Sequence, residues 1–215
     1  MKILFISLGC DKNLADSEEM LGLLTGSGHE IVDSEEDADA IVINTCCFIH
    51  DAKEESVNTI LEMAEYKKTG KCKALIVTQA GHVFQEFRDI NELPEDSGRR
   101  VLTTGGHFGY LKIAEGCDKH CTYCIIPSLR GKFRSVPEER LLAQAEYMAS
   151  QGVKELILVA QETTVYGTDL YGKKTLHILL KKLCQIKGIR WIRVLYCYPE
   201  EIYDELIQVM KEEKK

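Results

Sequence analysis

Three cysteines, Cys117, Cys121 and Cys124, stand in a C-x3-C-x2-C spacing inside the segment KIAEGCDKHCTYCIIPSLRGKFRS. That spacing suits a cubane 4Fe–4S cluster, in which each thiolate binds one iron and the fourth iron stays open. An open position separates a reactive metal centre from a structural one, as it does for zinc. The open iron can chelate the amino and carboxylate groups of S-adenosylmethionine. An electron passed into the sulfonium then breaks a C–S bond and yields a 5′-deoxyadenosyl radical; the cofactor carries this chemistry and the protein positions it. Zinc is the alternative occupant, with His120 inside the motif as a recruitable fourth ligand. Tyr123, just before the third cysteine, is placed to pack against an adenine.

The elements that must position these residues alternate strand and helix. In the first half, Lys2–Leu8, Glu30–Val32, Ala40–Asn44 and Ala74–Thr78 read as strands. Helices fall between them: one from Asn13 with Leu14, Met20, Leu21, Leu23 and Leu24 on its apolar stripe, and Asp51–Lys68 with Val57, Ile60, Leu61 and Met63 facing inward. This rhythm predicts a parallel sheet covered on both faces. The polar stretch Gln79–Thr104, with Pro94 and Gly98, breaks the pattern. We divide the chain into 1–91, a linker at 92–104, and 105–215.

The second half resumes with a strand at Tyr110–Ala114 that runs into the cysteine loop. A helix starts at Pro137, a position where proline is favoured. Strands at Glu155–Ala160 and Trp191–Tyr196 alternate with helices at Thr175–Ile186 and Glu200–Lys211. Three βα units give an open part-barrel rather than a closed eight-unit one. The cysteines follow a strand, so they sit at the C-terminal edge of the sheet, where α/β folds bind ligands. Gln161, Thr163, Thr164 and Tyr166 follow the next strand and are candidates to line the S-adenosylmethionine pocket; the other reading is a polar loop built around Gly167. Arg193, Tyr196 and Tyr198 alternate on the third strand, so one face could point into the barrel mouth. No residue is assigned a catalytic role.

Composition bounds the function class. The chain has 215 residues, a net charge of −7 and nine cysteines. The acidic balance gives bulk electrostatics no part in binding nucleic acid, so direct nucleic-acid binding is not expected. An odd cysteine count without a secretory leader argues against a disulfide framework and for metal, cluster or redox use in a cytoplasmic protein. No apolar run reaches the roughly 20 residues that span a bilayer, so no membrane association is expected.

The segment from Tyr110 to Pro137, LVAQETTVYGTDLYG at Leu158–Gly172 and RVLYCYPEE at Arg193–Glu201 together resemble the radical S-adenosylmethionine methylthiotransferases. SLGCDKNLADSEEM and INTCCFIHDAKEES resemble that family's N-terminal domain. Within the family the wording is most similar to the branch that methylthiolates an aspartate of small-subunit ribosomal protein number twelve; the tRNA-adenosine branch is the alternative. The resemblance implies an incomplete flavodoxin-like N-terminal sheet followed by a partial radical-SAM β/α barrel. It also implies an electron donor such as flavodoxin or ferredoxin, and a ribosomal protein substrate. Arg130, Lys132 and Arg134 form a local basic patch, either to meet a carboxylate of the cofactor, a ribosomal substrate or RNA, or simply solvated.

The family carries a second 4Fe–4S cluster on three N-terminal cysteines. Two of them match Cys10 and Cys46. Ala80 stands where the third is expected, and alanine has no donor atom, so the second cluster is expected to be lost or unstable. Cys47 and Cys72 are poor substitutes: one is a neighbour of Cys46, the other precedes its strand. Set against the resemblance, the region between Thr78 and Cys117 is expected to be shorter than the family's, and the later barrel units and a small C-terminal β-barrel are expected to be missing. These departures imply an internally deleted, truncated relative with impaired activity, or a non-catalytic iron–sulfur remnant.

Overall fold

A computed structural model of the chain describes residues 1–79, 93, 98 and 100–215. It divides into two compact units, the second of which takes up the chain from Leu102 to Lys215.

The first unit is a four-stranded parallel sheet: β1 (Lys2–Ser7), β2 (Glu30–Val32), β3 (Ala40–Thr45) and β4 (Ala74–Gln79), in the order β2-β1-β3-β4. That order is the start of the flavodoxin-like one. β3 is buried along its whole length, which is why it reads as a continuous apolar run. The register pairs Ser7 with Asn44 and Asn44 with Thr78, so the C-terminal ends of β1, β3 and β4 lie level. Of the three crossovers, two are the helices α1 (Asp11–Gly26) and α2 (His50–Thr69), and the one from β2 to β3 carries a 3-10 turn at Glu35–Asp37. Leu4, Ile41, Ile43, Met63 and Cys72 form the core.

Both helices correct the expected faces. On α2, Val57 and Leu61 are exposed, whereas Ala52, Ser56 and Met63 are buried and Ile60 is half-buried. Positions 52, 56, 60 and 63 make one stripe at helical spacing; Val57 and Leu61 lie a step around the helix from it. On α1, Met20 and Leu21 are buried as expected, but Leu23 is exposed, and Asn13, Ser17 and Glu18 are buried as well. The first half of α1 covers polar strand ends rather than apolar surface. Asn13 Nδ2 donates to the carbonyls of Leu8 and Thr45, and Asn44 Nδ2 donates to Ser17 Oγ. Glu18 is fully buried and accepts from the Arg100 guanidinium at 2.7 and 2.9 Å.

The second unit carries β5 (Phe108–Lys112), β8 (Glu155–Val159) and β9 (Trp191–Val194) as a parallel sheet in that order. A two-stranded antiparallel ribbon joins β6 (Ala114–Glu115) to β7 (Arg134–Ser135), with the short helix α3 (Ile126–Arg130) between them. α4 (Glu138–Ser150), α5 (Thr168–Tyr171), α6 (Leu176–Cys184) and α7 (Asp204–Glu212) complete it. Leu111, Leu141, Met148, Leu156, Leu158, Leu179 and Leu183 form a core closed to solvent. The sheet is open, so the α/β class and the part-barrel are both borne out.

Several element ends differ from the expected ones: the strand expected at Tyr110–Ala114 is β5 at Phe108–Lys112, and Ala114 opens the separate ribbon strand β6. Pro137 is the residue before α4 rather than its first. β9 stops at Val194, because Tyr196 takes a left-handed φ of 59° that breaks the extended run. Arg193, Tyr196 and Tyr198 therefore share no strand face, and Arg193 Nε donates to Glu155 at 2.8 Å. A 3-10 turn at Pro199–Glu201 separates β9 from α7.

Candidate metal centre

The loop bearing Cys117, Cys121 and Cys124 leaves β6 and returns through α3 to β7. Two features pinch it shut. The Cys117 N–H donates to the Gly131 carbonyl at 3.2 Å. Gly116, at φ +75°, crosses so close to the returning strand that a Cβ there would lie 2.0 Å from the Lys132 carbonyl oxygen. Only glycine fits such a crossing. Inside the loop, the Cys124 N–H donates to the Cys121 carbonyl at 3.0 Å, a turn that folds the last two cysteines towards each other.

The three thiols feel one another. Burial comes first in pushing the Cys117 thiol up from its usual pKa; the Lys119 N–H opposes it, and Cys124, Glu162 and Cys121 add to the rise. Cys121 is exposed, and Cys117 and Cys124 are half-buried. Among the described residues no three His, Cys, Asp or Glu side chains converge as one metal ion would need. That bears differently on the two candidate occupants. Zinc needs four ligands around one ion. A cubane spreads its three thiolates over three irons, so they need not meet at a point. The donor set fits the cluster, and no mononuclear site is preassembled among the described residues.

Polar groups at the neighbouring strand ends frame the loop. Glu115 is buried and accepts from Lys112 Nζ at 3.0 Å, from Arg130 Nη1 at 3.0 Å and from Gln161 Nε2 at 3.1 Å. Burial alone would raise its pKa, but the Lys112 ammonium and the Arg130 guanidinium outweigh that and hold it down at about 2. Gln161 Oε1 is buried and has no hydrogen-bond partner among the described residues, an acceptor open to a further donor. Lys119, between the first two cysteines, donates to Glu201 at 2.9 Å and sits 3.9 Å from the Tyr198 ring centroid.

The sequence-predicted residues therefore take different places. Tyr123 is 88% exposed on the loop, free to meet a ligand. Thr163 is fully buried, and its hydroxyl donates to the Leu195 carbonyl at 2.8 Å, tying β8 to β9. Thr164 hydrogen-bonds Glu162, and Tyr166 is a core residue whose hydroxyl donates to the Val136 carbonyl at 2.8 Å. The basic patch is built into the loop closure: Arg130 pairs with Glu115, Arg134 donates to the carbonyls of Arg130 and Lys132, and Phe133 is buried. Sequence reasoning missed Glu115, Glu162, Lys119 and Glu201; the available signal was their position beside the cysteines or just past a strand end.

In the first unit, Cys10 immediately precedes α1 and is exposed, and Cys46 follows β3 and is half-buried. They stand on adjacent strand ends: a Cβ on Gly9 would lie 2.5 Å from Cys46 Cβ and 3.1 Å from its sulfur. Cys72 belongs to the hydrophobic core, with its thiol directed at the Ala74 carbonyl. Ala80 lies outside the described residues.

Two family models match the chain. Residues 2–96 match "Uncharacterized protein family UPF0004", and residues 111–214 match the "Radical SAM superfamily". The chain is 57% identical over 252 positions to a protein of Lachnoclostridium phytofermentans named ribosomal protein uS12 methylthiotransferase RimO, covering 100% of this chain and 57% of that one. A Clostridium botulinum protein of the same name is 49% identical over 96% of this chain and 55% of its own length. A Clostridium perfringens protein of that name is 46% identical over the same shares. The chain thus spans little more than half the length of these curated relatives. The first alignment is also longer than the 215 residues of the chain, so that relative carries residues within the matched region that this chain lacks.

Proposed function

We propose that this chain, which belongs to the radical S-adenosylmethionine methylthiotransferase family, holds a 4Fe–4S cluster on Cys117, Cys121 and Cys124 and binds S-adenosylmethionine beside it. The observation that carries the reading is the pinched loop: three thiols at cubane spacing on one closed turn at the C-terminal edge of a parallel sheet. When bound, the cluster supplies the electron that cleaves the cofactor's C–S bond. The chain's own residues orient and shield. Tyr123 offers an exposed ring to an adenine, and Gln161 Oε1 offers a buried acceptor to an N–H or O–H of the cofactor. Thr163 stands behind them and fixes the β8 and β9 ends.

The substrate we propose is ribosomal protein uS12, on the strength of the relatives' names and the identity they share with this chain. Cys10 and Cys46 are proposed as two ligands of a second cluster site that stays incomplete, since Ala80 replaces the expected third. Residues 1–91 would form the sulfur-donor domain, 92–104 the connection and 105–215 the radical domain. The chain is then expected to cleave S-adenosylmethionine without completing methylthio transfer.

Anaerobic reconstitution followed by incubation with dithionite and S-adenosylmethionine tests this. The expected products are 5′-deoxyadenosine and methionine, without a methylthiolated uS12 peptide. A reconstituted chain that forms no 5′-deoxyadenosine contradicts the enzymatic reading.

A further inference from the structure

The cysteine loop begins and ends at one carboxylate. Glu115 lies two residues before Cys117, and Arg130 closes the helix that follows Cys124. Both Glu115 oxygens lie 3.0 Å from Arg130 Nη1. The same carboxylate takes the Gly116 N–H at 3.1 Å, Lys112 from β5 and Gln161 from the end of β8. The side chains of Glu115, Lys112 and Arg130 are 8%, 12% and 12% exposed, so these bonds act with little water to compete. Arg134 donates to the Arg130 carbonyl and secures the helix end from the other side. Between these anchors the loop faces solvent at Cys121 and Tyr123.

We infer that Glu115 is a positioning residue of the metal centre: by holding Arg130 and Gln161 on one carboxylate, it fixes the two ends of the cysteine loop and turns the Gln161 acceptor towards the cofactor site. The inference rests on the reading that Cys117, Cys121 and Cys124 hold the cluster. Lys112 belongs to the sheet, Arg130 to the loop and Gln161 to the next strand end, so Glu115 is where the three are brought into register.

Two measurements on the full chain test it, using Glu115→Gln, Arg130→Gln and the double variant. The first is alkylation of the metal-free, reduced chain by iodoacetamide, with each cysteine followed by peptide mass spectrometry. Loss of a charge-assisted anchor is expected to raise the Cys117 rate about tenfold relative to Cys121. The second is the electron paramagnetic resonance spectrum of the reduced, reconstituted chain with and without S-adenosylmethionine. The cofactor-induced shift is expected to be lost in Glu115→Gln and Arg130→Gln alike, with no further loss in the double variant. A Cys117 rate unchanged in Glu115→Gln, or a shift that persists there, overturns the inference. Should Glu115→Gln fail to fold, Glu115→Asp, which keeps the charge but shortens the reach, is expected to give an intermediate Cys117 rate; a wild-type rate overturns the inference. A wild-type chain that takes up no iron overturns the cluster reading instead, and the alkylation experiment still decides the role of Glu115.

Discussion

Gly116 is the residue on which the shape of the cysteine loop turns. Any side chain there meets the Lys132 carbonyl, and the backbone is left-handed besides. Gly28 shares the left-handed backbone, at φ +81°, but a Cβ added to it would meet nothing within 4 Å. Gly28→Ala is expected to lose about 1 kcal/mol from backbone strain. Gly116→Ala is expected to lose clearly more and to lower iron uptake; equal melting temperatures for the two variants would contradict the crowding at Gly116. At this scale the sequence disclosed what spacing can disclose. Cys117, Cys121 and Cys124 are close neighbours in the chain, so their chemistry is written locally. Glu115 was hidden because its partners lie at 112, 130 and 161, and a glutamate before a glycine resembles surface charge until the fold brings them together.

Among the elements, strands were easier to read than helix faces. β3 and β8 are buried apolar runs bounded by polar residues, and their limits fell within a residue of expectation. On α2 the charged residues occupy so much of the surface that apolar residues alone did not reveal the inner stripe. Met63 is 4% exposed and Leu61 is 62% exposed. Met63→Ala is expected to cost about 2–5 kcal/mol, and Leu61→Gln to stay within about 0.5 kcal/mol. Chemical denaturation of the two variants checks the assignment; a larger loss for Leu61→Gln would reverse it. α1 was read in part: Met20 and Leu21 are buried and Leu23 is exposed. The buried face of its first half is largely polar, since Asn13 and Ser17 serve the ends of β1 and β3 rather than the apolar core.

For the whole molecule, two compact units each have their own hydrophobic cluster. The buried Glu18–Arg100 pair belongs to the first unit and joins residues far apart in sequence, which is why no local pattern announced it. Removing one partner leaves a buried charge. Arg100→Met is expected to cost about 3–5 kcal/mol and to lower the first unit's thermal transition, leaving the second unit's in place; a shift of both transitions by the same amount would contradict that confinement. No helix among the described residues is long and apolar enough to cross a membrane. The central claim, that Cys117, Cys121 and Cys124 hold the S-adenosylmethionine-binding cluster, is tested most directly by counting iron and sulfide in the anaerobically reconstituted chain and in its Cys117→Ala/Cys121→Ala/Cys124→Ala variant. The account predicts about four irons in the wild type and none held as a cluster in the variant. Equal iron in both, or zinc in place of iron, would contradict it.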